Sequence, residues 1–127
     1  MSENFVVLVV EDEPLLRWNL AECVAEDLGL QVLEAPDGET ALEALEKVPE
    51  INFVVADIRM PGAVDGLSLS YRIKQLYPHI GVLLTSGHFH PASSALPAGV
   101  AFIAKPYSRD EILGQIAAAA RQRLMPN

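Results

Sequence analysis

Five short apolar runs divide the chain, and segments with a different periodicity lie between them. The runs are Phe5–Val10, Leu30–Ala35, Ile51–Ala56, Ile80–Thr85 and Val100–Ala104. Valine, isoleucine and leucine dominate them, as is typical of buried strands. The first run is apolar at every position, as expected for a strand that is buried on both faces. Strand-like runs that alternate with helical segments predict an α/β fold, a doubly wound parallel sheet of five strands.

The first two connecting segments show helical spacing and helix-terminating residues. Apolar side chains recur at every fourth position from Leu16 to Leu28. Pro14 stands where a first-turn proline is tolerated, and Gly29 is suited to the end of the helix. Asp37 is placed to cap the second helix. The sequence therefore predicts one helix between the first and second strands and another between the second and third.

Two more helices are predicted further along the chain. The third helix spans about Leu67–Leu76, and the last opens at Ser108, where Glu111 three residues later completes a capping-box pattern. Their predicted apolar faces consist of Leu69, Ile73 and Leu76 in the third helix and Ile112, Ile116 and Leu124 in the last.

The segment Phe89–Gly99 departs from this alternation. It contains Pro91 and Pro97 and shows little helical periodicity. Prolines in a helix interior break the hydrogen-bond ladder. We therefore expect the fourth crossover helix to be short, irregular or absent.

Length and composition limit the classes of protein that the chain can belong to. Its 127 residues fit a single domain over 1–127, with a core over about 5–124 and no output domain. A net charge of −8 argues against binding to nucleic acid. The single cysteine, Cys23, excludes an intramolecular disulfide and fits a reducing compartment. The apolar run at Phe5–Val10 is too short to span a membrane, so we expect a cytoplasmic protein.

Polar side chains follow four of the five predicted strands. They are Glu11 and Asp12 after the first, Asp57 after the third, Thr85 and Ser86 at the end of the fourth, and Lys105 after the fifth. The carboxyl ends of parallel strands meet at one edge of the sheet, where ligands bind in such folds. Three crowded carboxylates favour Mg²⁺, a lysine suits a phosphate contact, and a spare aspartate can attack phosphorus.

These residues occur in motifs that resemble the receiver domain of two-component response regulators. The motifs are Glu11-Asp12-Glu13-Pro14, Asp57-Ile58-Arg59-Met60-Pro61, Gly66-Leu67, Ser86-Gly87-His88 and Lys105-Pro106. The resemblance covers essentially the whole chain. It implies a flavodoxin-like strand order, 2-1-3-4-5.

The resemblance also implies a role for each residue of the site. Asp57 would be the phosphoacceptor and, with Asp12, a ligand of Mg²⁺. Glu11 would assist the metal through water, and the main-chain carbonyl of Arg59 would be a further ligand. Lys105 would pair with a phosphoryl oxygen.

Two further positions correspond to the family's conformational switch. Ser86 would be the switch hydroxyl, since the small residue Gly87 follows it, but its neighbour Thr85 is the alternative. Phe102 stands at the position of the switch aromatic residue, three residues before Lys105.

The sequence departs from the family pattern in two places. The loop over 61–66 is one residue longer than the common form, and Lys105 lies only 19 positions after Ser86. The second departure again predicts a reduced fourth helix. In the family, that helix normally forms part of the surface that contacts downstream partners. The sequence therefore does not predict how this protein transmits its signal.

The resemblance implies a signalling protein and not an enzyme that acts on small molecules. Its partners would be a sensor histidine kinase or a histidine phosphotransfer protein, and an unknown downstream protein. We expect a monomer or weak homodimer.

One alternative is an interaction module that uses the fold without phosphorylation; the chain could also derive from a hybrid kinase. A phosphohydrolase is disfavoured because Arg59 stands where such enzymes carry a second aspartate. Trp18 either packs or marks a partner surface.

Overall fold

The computed structural model describes residues 5–87 and 95–124 of the chain. The elements along these residues are β1 (Val6–Val10), α1 (Pro14–Leu28), β2 (Gln31–Ala35), α2 (Gly38–Lys47), β3 (Ile51–Asp57), α3 (Gly66–Leu76), β4 (Gly81–Ser86), β5 (Val100–Ala104) and α4 (Arg109–Leu124). Each predicted strand and helix is present, with bounds that differ by about one residue at most places.

The five strands form one parallel sheet in the order β2-β1-β3-β4-β5. This confirms the predicted doubly wound architecture and its strand order. Every residue of β1 is buried, as its unbroken apolar run predicts. Because all neighbouring strands are parallel, their carboxyl ends lie along one edge of the sheet.

Apolar side chains form a core on each face of the sheet. On one face, α2 and α3 cover β1, β3 and β4 with side chains that include Ala41, Leu45, Leu69 and Ile73. On the other face, α1 and α4 cover the sheet with Ala21, Val24, Ile112 and Ile116. Alternate residues of each strand supply the two cores, since successive side chains of a strand point to opposite faces.

The predicted helix caps are confirmed. Asp37 accepts a hydrogen bond from the Thr40 backbone N–H at 2.8 Å. The Glu111 backbone N–H donates to the Ser108 hydroxyl at 3.0 Å, and the Ser108 N–H donates to the Glu111 carboxylate at 2.8 Å. Gly29 ends α1 in the left-handed conformation, with φ 67°. Each cap fixes where a helix begins or ends relative to the strand beside it.

Two apolar positions differ from the predicted helix faces. Leu76 is 57% exposed, and it is the next residue, Tyr77, whose half-buried side chain packs against the core at this end of α3. Leu16 is also exposed, since the first turn of α1 lies beyond the edge of the sheet beside the polar strand ends. The side chain of Leu124 lies outside the described residues.

Much of the connection from β4 to β5 lies outside the described residues, including 88–94 and therefore Pro91. The described part of this connection, Gly87 and 95–99, contains no α-helix. Among the described residues, no helix is both long enough and apolar enough to cross a membrane.

Candidate functional site

The first two acidic residues of the site follow β1 directly and differ in exposure. Glu11 is buried, whereas Asp12 is exposed. The Glu11 carboxylate accepts a hydrogen bond from the Glu13 backbone N–H at 3.2 Å. Arg17, one turn into α1, donates to the main-chain carbonyl of Glu11 at 2.8 Å. These contacts fix the acidic turn between β1 and α1.

Asp57 is the last residue of β3 and lies at the centre of the same edge. The backbone around it is tightly held, because the Ile58 N–H donates to the Thr85 carbonyl at 2.8 Å and the Gly66 N–H donates to the Ile58 carbonyl at 2.9 Å. Gly66 permits this approach, since a Cβ there would lie 2.3 Å from the Asp57 carbonyl oxygen. The Asp57 side chain is 12% exposed, so its carboxylate is partly withdrawn from water but still accessible.

Lys105 reaches this edge from the end of β5. Its Nζ lies 3.5 Å from Oδ1 of Asp57 and 3.4 Å from Oε1 of Glu11. The Lys105 backbone N–H donates to the Ser86 carbonyl at 2.9 Å, which fixes the lysine against the end of β4. The structure therefore brings together the residues that the sequence predicts at the ends of β1, β3 and β5.

Two hydroxyl residues at the end of β4 complete this edge. The Thr85 hydroxyl donates to Oδ1 of Asp57 at 3.4 Å. Ser86 is 1% exposed and lines the same cavity as Asp57 and Lys105. Both residues lie at the predicted site. Thr85, the alternative to Ser86 as the switch hydroxyl, therefore contacts the Asp57 carboxylate directly in the unphosphorylated chain.

One cavity, of about 340 Å³, contains most of these side chains. Its lining consists of Glu11, Asp12, Glu13, Leu16, Asp57, Arg59, Ser86, Gly87 and Lys105. We refer to it as the acidic cavity. A larger open groove of about 890 Å³ adjoins it and shares Asp12 and Arg59. Sequence reasoning did not place Leu16 in the site, because its spacing predicted a core position.

The donor atoms of the acidic cavity suit a hard divalent cation. One carboxylate oxygen from each of Glu11, Asp12 and Asp57 lies within 4.8 Å of the others. Among the described residues, Lys105 is the only lysine or arginine whose side-chain nitrogen forms an ion pair with this group. Three carboxylates against one ammonium leave an excess of negative charge. Oxygen ligands and negative charge are what Mg²⁺ requires, so these residues fit that ion.

The charge balance of the cavity is reflected in the pKa values of its groups. Burial raises the pKa of the Glu11 carboxyl, and the Glu13 N–H opposes that effect. Burial likewise raises the pKa of Asp57, opposed by Lys105 and by the Thr85 hydroxyl. Burial would lower the pKa of Lys105, but the carboxylates of Asp57 and Glu11 raise it above its ordinary value. The carboxylates therefore hold the lysine as a cation, whereas burial makes the ionised forms of Glu11 and Asp57 less favourable.

Phe102 lies on β5, away from the acidic cavity. Its side chain is half-buried and packs against the core on the α2 and α3 face of the sheet. It lies opposite Leu84 of β4 in the strand register, two residues before Ser86. The residue predicted as the switch aromatic therefore lies beside the strand that ends in Ser86.

Sequence reasoning missed the contacts that support the site. The hydrogen bond from Arg17 to the Glu11 carbonyl is one; the other joins the Glu39 carboxylate of α2 to the Ala63 backbone N–H at 3.0 Å. The Glu39 contact links residues 24 positions apart, and no local sequence pattern predicts such a pairing.

Comparison with known proteins adds an independent finding. The chain matches the model of the response regulator receiver domain over residues 7–117. It is 36% identical over 115 residues to the DNA-binding transcriptional regulator NtrC of Escherichia coli strain K12. That match covers 87% of this chain and 24% of the regulator, so the chain spans about a quarter of that relative's length.

Solved structures show the same architecture. The receiver domain of NtrX from Brucella abortus is similar with a TM-score of 0.79 and 33% identity, and the match covers 89% of this chain and 96% of that one. A response regulator receiver domain protein from Clostridium thermocellum matches with a TM-score of 0.83 and 27% identity, covering 95% and 98% of the two chains. The family match over residues 7–117 includes every residue that lines the acidic cavity.

Proposed function

This chain belongs to the response regulator receiver domain family, and we propose from that premise that it is a phosphorylation switch whose phosphoacceptor is Asp57. One observation carries the proposal. Asp57 lies with two further carboxylates and one ammonium in a single cavity at the carboxyl ends of the strands. A carboxylate nucleophile, an oxygen-rich site for a divalent cation and a cation for phosphate are the groups that phosphoryl transfer needs.

In the proposed reaction a carboxylate oxygen of Asp57 attacks the phosphorus atom of a phosphohistidine. The new oxygen–phosphorus bond forms as the phosphorus–nitrogen bond breaks, and the bonding electron pair leaves with the imidazole. Lys105, already 3.5 Å from the Asp57 carboxylate, pairs with a phosphoryl oxygen and stabilises its negative charge. Water later hydrolyses the aspartyl phosphate and restores the carboxylate.

The residues that would hold Mg²⁺ are Asp12, Asp57 and the main-chain carbonyl of Arg59, with Glu11 acting through water. The ion would supply positive charge to the transferring phosphoryl group. Exposed Asp12 and half-buried Asp57 approach the same point from β1 and β3, and Arg59 lines the cavity beside them. This arrangement offers oxygen ligands from two neighbouring strand ends while leaving an open side for phosphate and water.

We propose that the phosphoryl donor is a protein, a sensor histidine kinase or a histidine phosphotransfer protein. Three large apolar side chains at the start of α1 support this. Leu15 is 66% exposed, Leu16 is 47% exposed and Trp18 is 52% exposed, and Leu16 borders the acidic cavity. Apolar side chains grouped at a surface are typical of protein interfaces. This exposure favours the second of the two interpretations of Trp18, a partner surface.

The direct test is intact-mass spectrometry after incubation with acetyl phosphate and Mg²⁺. We expect the mass of one phosphoryl group to be added to the wild-type chain. The Asp57→Asn variant and a wild-type sample with excess EDTA should gain none. If the wild type stays unlabelled both with acetyl phosphate and with a phosphorylated histidine kinase, the chain is an interaction module and the proposal is wrong.

The switch hydroxyl is tested by comparing Ser86→Ala with Thr85→Ala. We propose that Ser86 reports phosphorylation to Phe102, and that Thr85 contributes only its contact with unphosphorylated Asp57. Phosphorylated Thr85→Ala should therefore show the wild-type NMR shift changes at Phe102, whereas phosphorylated Ser86→Ala should lose most of them. The reverse result would assign the switch to Thr85.

A further inference from the structure

The loop between β3 and α3 carries Arg59 and is hydrogen-bonded to α2, a helix that contributes no residue to the acidic cavity. Glu39, in the first turn of α2, accepts a hydrogen bond from the Ala63 backbone N–H through its Oε2 at 3.0 Å. Gly62 lies against the same carboxylate, since a Cβ at that position would be 2.9 Å from Oε1 of Glu39. One glutamate side chain therefore contacts two successive residues of the loop.

The same turn of α2 also packs directly on the next loop residue. A Cβ at Gly38 would lie 2.3 Å from the Val64 carbonyl oxygen and 2.7 Å from its Cγ1. Val64 is buried and belongs to the core cluster that includes Ala41 and Leu45 of α2. The loop thus rests on the beginning of α2 through a polar contact at Gly62 and Ala63 and an apolar contact at Val64.

The far side of the loop faces the site. Arg59 lines both the acidic cavity and the adjoining groove, and the backbone on either side of it is fixed to the sheet edge by the hydrogen bonds of Ile58 and Gly66. Between these two anchors the loop runs over 59–65, with Gly62 at φ 99°. The contact with Glu39 is the polar attachment in the middle of this span.

We propose that Glu39 is a positioning residue for the divalent cation, an inference that rests on the proposed function. By accepting the Ala63 N–H, Glu39 holds the loop so that the Arg59 backbone stays beside Asp12 and Asp57. Loss of the acceptor leaves the loop free to sample other conformations. The apparent affinity for Mg²⁺ then falls, since only part of the population presents the full ligand set.

The test compares three variants that separate the hydrogen bond from the charge. Glu39→Gln removes the charge and keeps an oxygen acceptor, whereas Glu39→Met removes both in a side chain of similar length. Glu43→Met removes an exposed glutamate one turn further along α2 and serves as the matched control. Mg²⁺ affinity is measured by NMR titration of backbone amide shifts, and hydrogen exchange at the Ala63 amide is followed in the same samples.

We expect Glu39→Met to bind Mg²⁺ about fivefold more weakly than the wild type, the effect of losing one ordinary hydrogen bond. Its Ala63 amide should exchange faster. Glu39→Gln and Glu43→Met should stay within about twofold of the wild type, because a lost surface charge alone has a small effect.

Two results would overturn the inference. Equal weakening in Glu39→Gln and Glu39→Met would show that the charge acts and not the hydrogen bond. Wild-type affinity in Glu39→Met, with faster Ala63 exchange, would show that the loop contact does not reach the cation. Either result leaves the proposed function intact, whereas a wild-type chain that binds no Mg²⁺ would contradict both.

Discussion

Two charged contacts in this molecule use similar groups in different surroundings. Arg109 of α4 pairs with Asp27 of α1 on the surface, with side chains that are 60% and 36% exposed. Lys105 pairs with Asp57 and Glu11 in the acidic cavity, with side chains that are 25%, 12% and 10% exposed. Arg109 pairs with one carboxylate, and both side chains remain hydrated. Lys105 pairs with two carboxylates, and Asp12 lies nearby. Water is partly excluded from this cavity.

The Arg109–Asp27 pair links two helices, whereas the residues of the acidic cavity are arranged for binding of a cation and for phosphoryl transfer. A surface ion pair contributes little to stability, because solvent already satisfies both partners. Partly buried carboxylates in excess over cations are unfavourable in the metal-free chain. The proposed binding of Mg²⁺, or the proposed transfer of a phosphoryl group to Asp57 beside Lys105, would change that balance. Excess charge at a buried site is therefore the feature that points to function.

The largest expected difference between the two contacts concerns phosphorylation. Lys105→Met should slow phosphorylation by acetyl phosphate at least about 100-fold, because the preorganised cation for the phosphoryl oxygens is lost. Arg109→Met should leave the rate unchanged. Rates are measured by quenched intact-mass spectrometry at saturating Mg²⁺. Equal rates for wild type and Lys105→Met would remove the lysine from the mechanism.

Mg²⁺ should stabilise the acidic cavity and leave the surface pair unaffected. At about ten times its Kd, the ion adds about 1.4 kcal/mol to the free energy of unfolding, which corresponds to a rise in Tm of about 5 °C. Asp12→Ala should lose most of this rise, while Asp27→Ala should retain it. Thermal denaturation followed by circular dichroism provides the measurement, and a Tm that does not respond to Mg²⁺ would contradict the proposed cation site.

The pH dependence of stability should show the unfavourable burial of the Asp57 carboxylate. The pKa of Asp57 in the folded chain is raised above the ordinary value of 3.8, chiefly by burial. The folded state therefore holds its proton more tightly, and stability falls as the pH rises from about 3.8 through the folded pKa. Without metal, Asp57→Asn should be more stable than the wild type at pH 7. The difference should shrink as the pH is lowered toward 4.

Excess Mg²⁺ provides the control for that experiment. At pH 7 with the ion present, the wild type should regain stability relative to Asp57→Asn, because the variant has lost a ligand. Urea denaturation at several pH values gives the free energies of unfolding. A wild type that is more stable than Asp57→Asn at pH 7 in EDTA would show that Lys105 already neutralises the site.

The smallest effect is expected at the surface pair. Arg109→Met should change the free energy of unfolding only slightly, because the pair is exposed, and that change should diminish at high salt. The measurement is urea denaturation at low and high ionic strength. A loss as large as the stabilisation expected from Mg²⁺ would mean that the Arg109 contact holds α4 against α1 and is not an ordinary surface pair.

The strands, the helix caps and the placement of polar residues at the strand ends could be predicted because their signals are local. The unbroken apolar run of β1, the capping box at Ser108 and the polar residues that follow each strand are read from neighbouring positions. The parallel topology then brings separate strand ends to one edge. Asp57 and Lys105, 48 positions apart, meet for that reason.

What could not be predicted depends on packing between distant segments. Leu16 follows the same fourfold spacing as Val24, yet Val24 is buried and Leu16 is exposed, because the helix extends past the edge of the sheet. The hydrogen bond between Glu39 and Ala63 depends on how the loop between β3 and α3 folds against α2. Periodicity identifies the side of a helix that can be buried, but the neighbouring elements decide how far along the helix burial extends.

The most direct test of the account is to identify which of the three clustered carboxylates carries the phosphoryl group. The phosphorylated chain is reduced with sodium borohydride, which converts an aspartyl phosphate to homoserine, and the peptides are sequenced by mass spectrometry. We predict homoserine at position 57, with Asp12 and Glu11 unmodified. Reduction at Asp12 or Glu11, or a label with no acyl phosphate to reduce, would contradict the assignment of Asp57 as the phosphoacceptor.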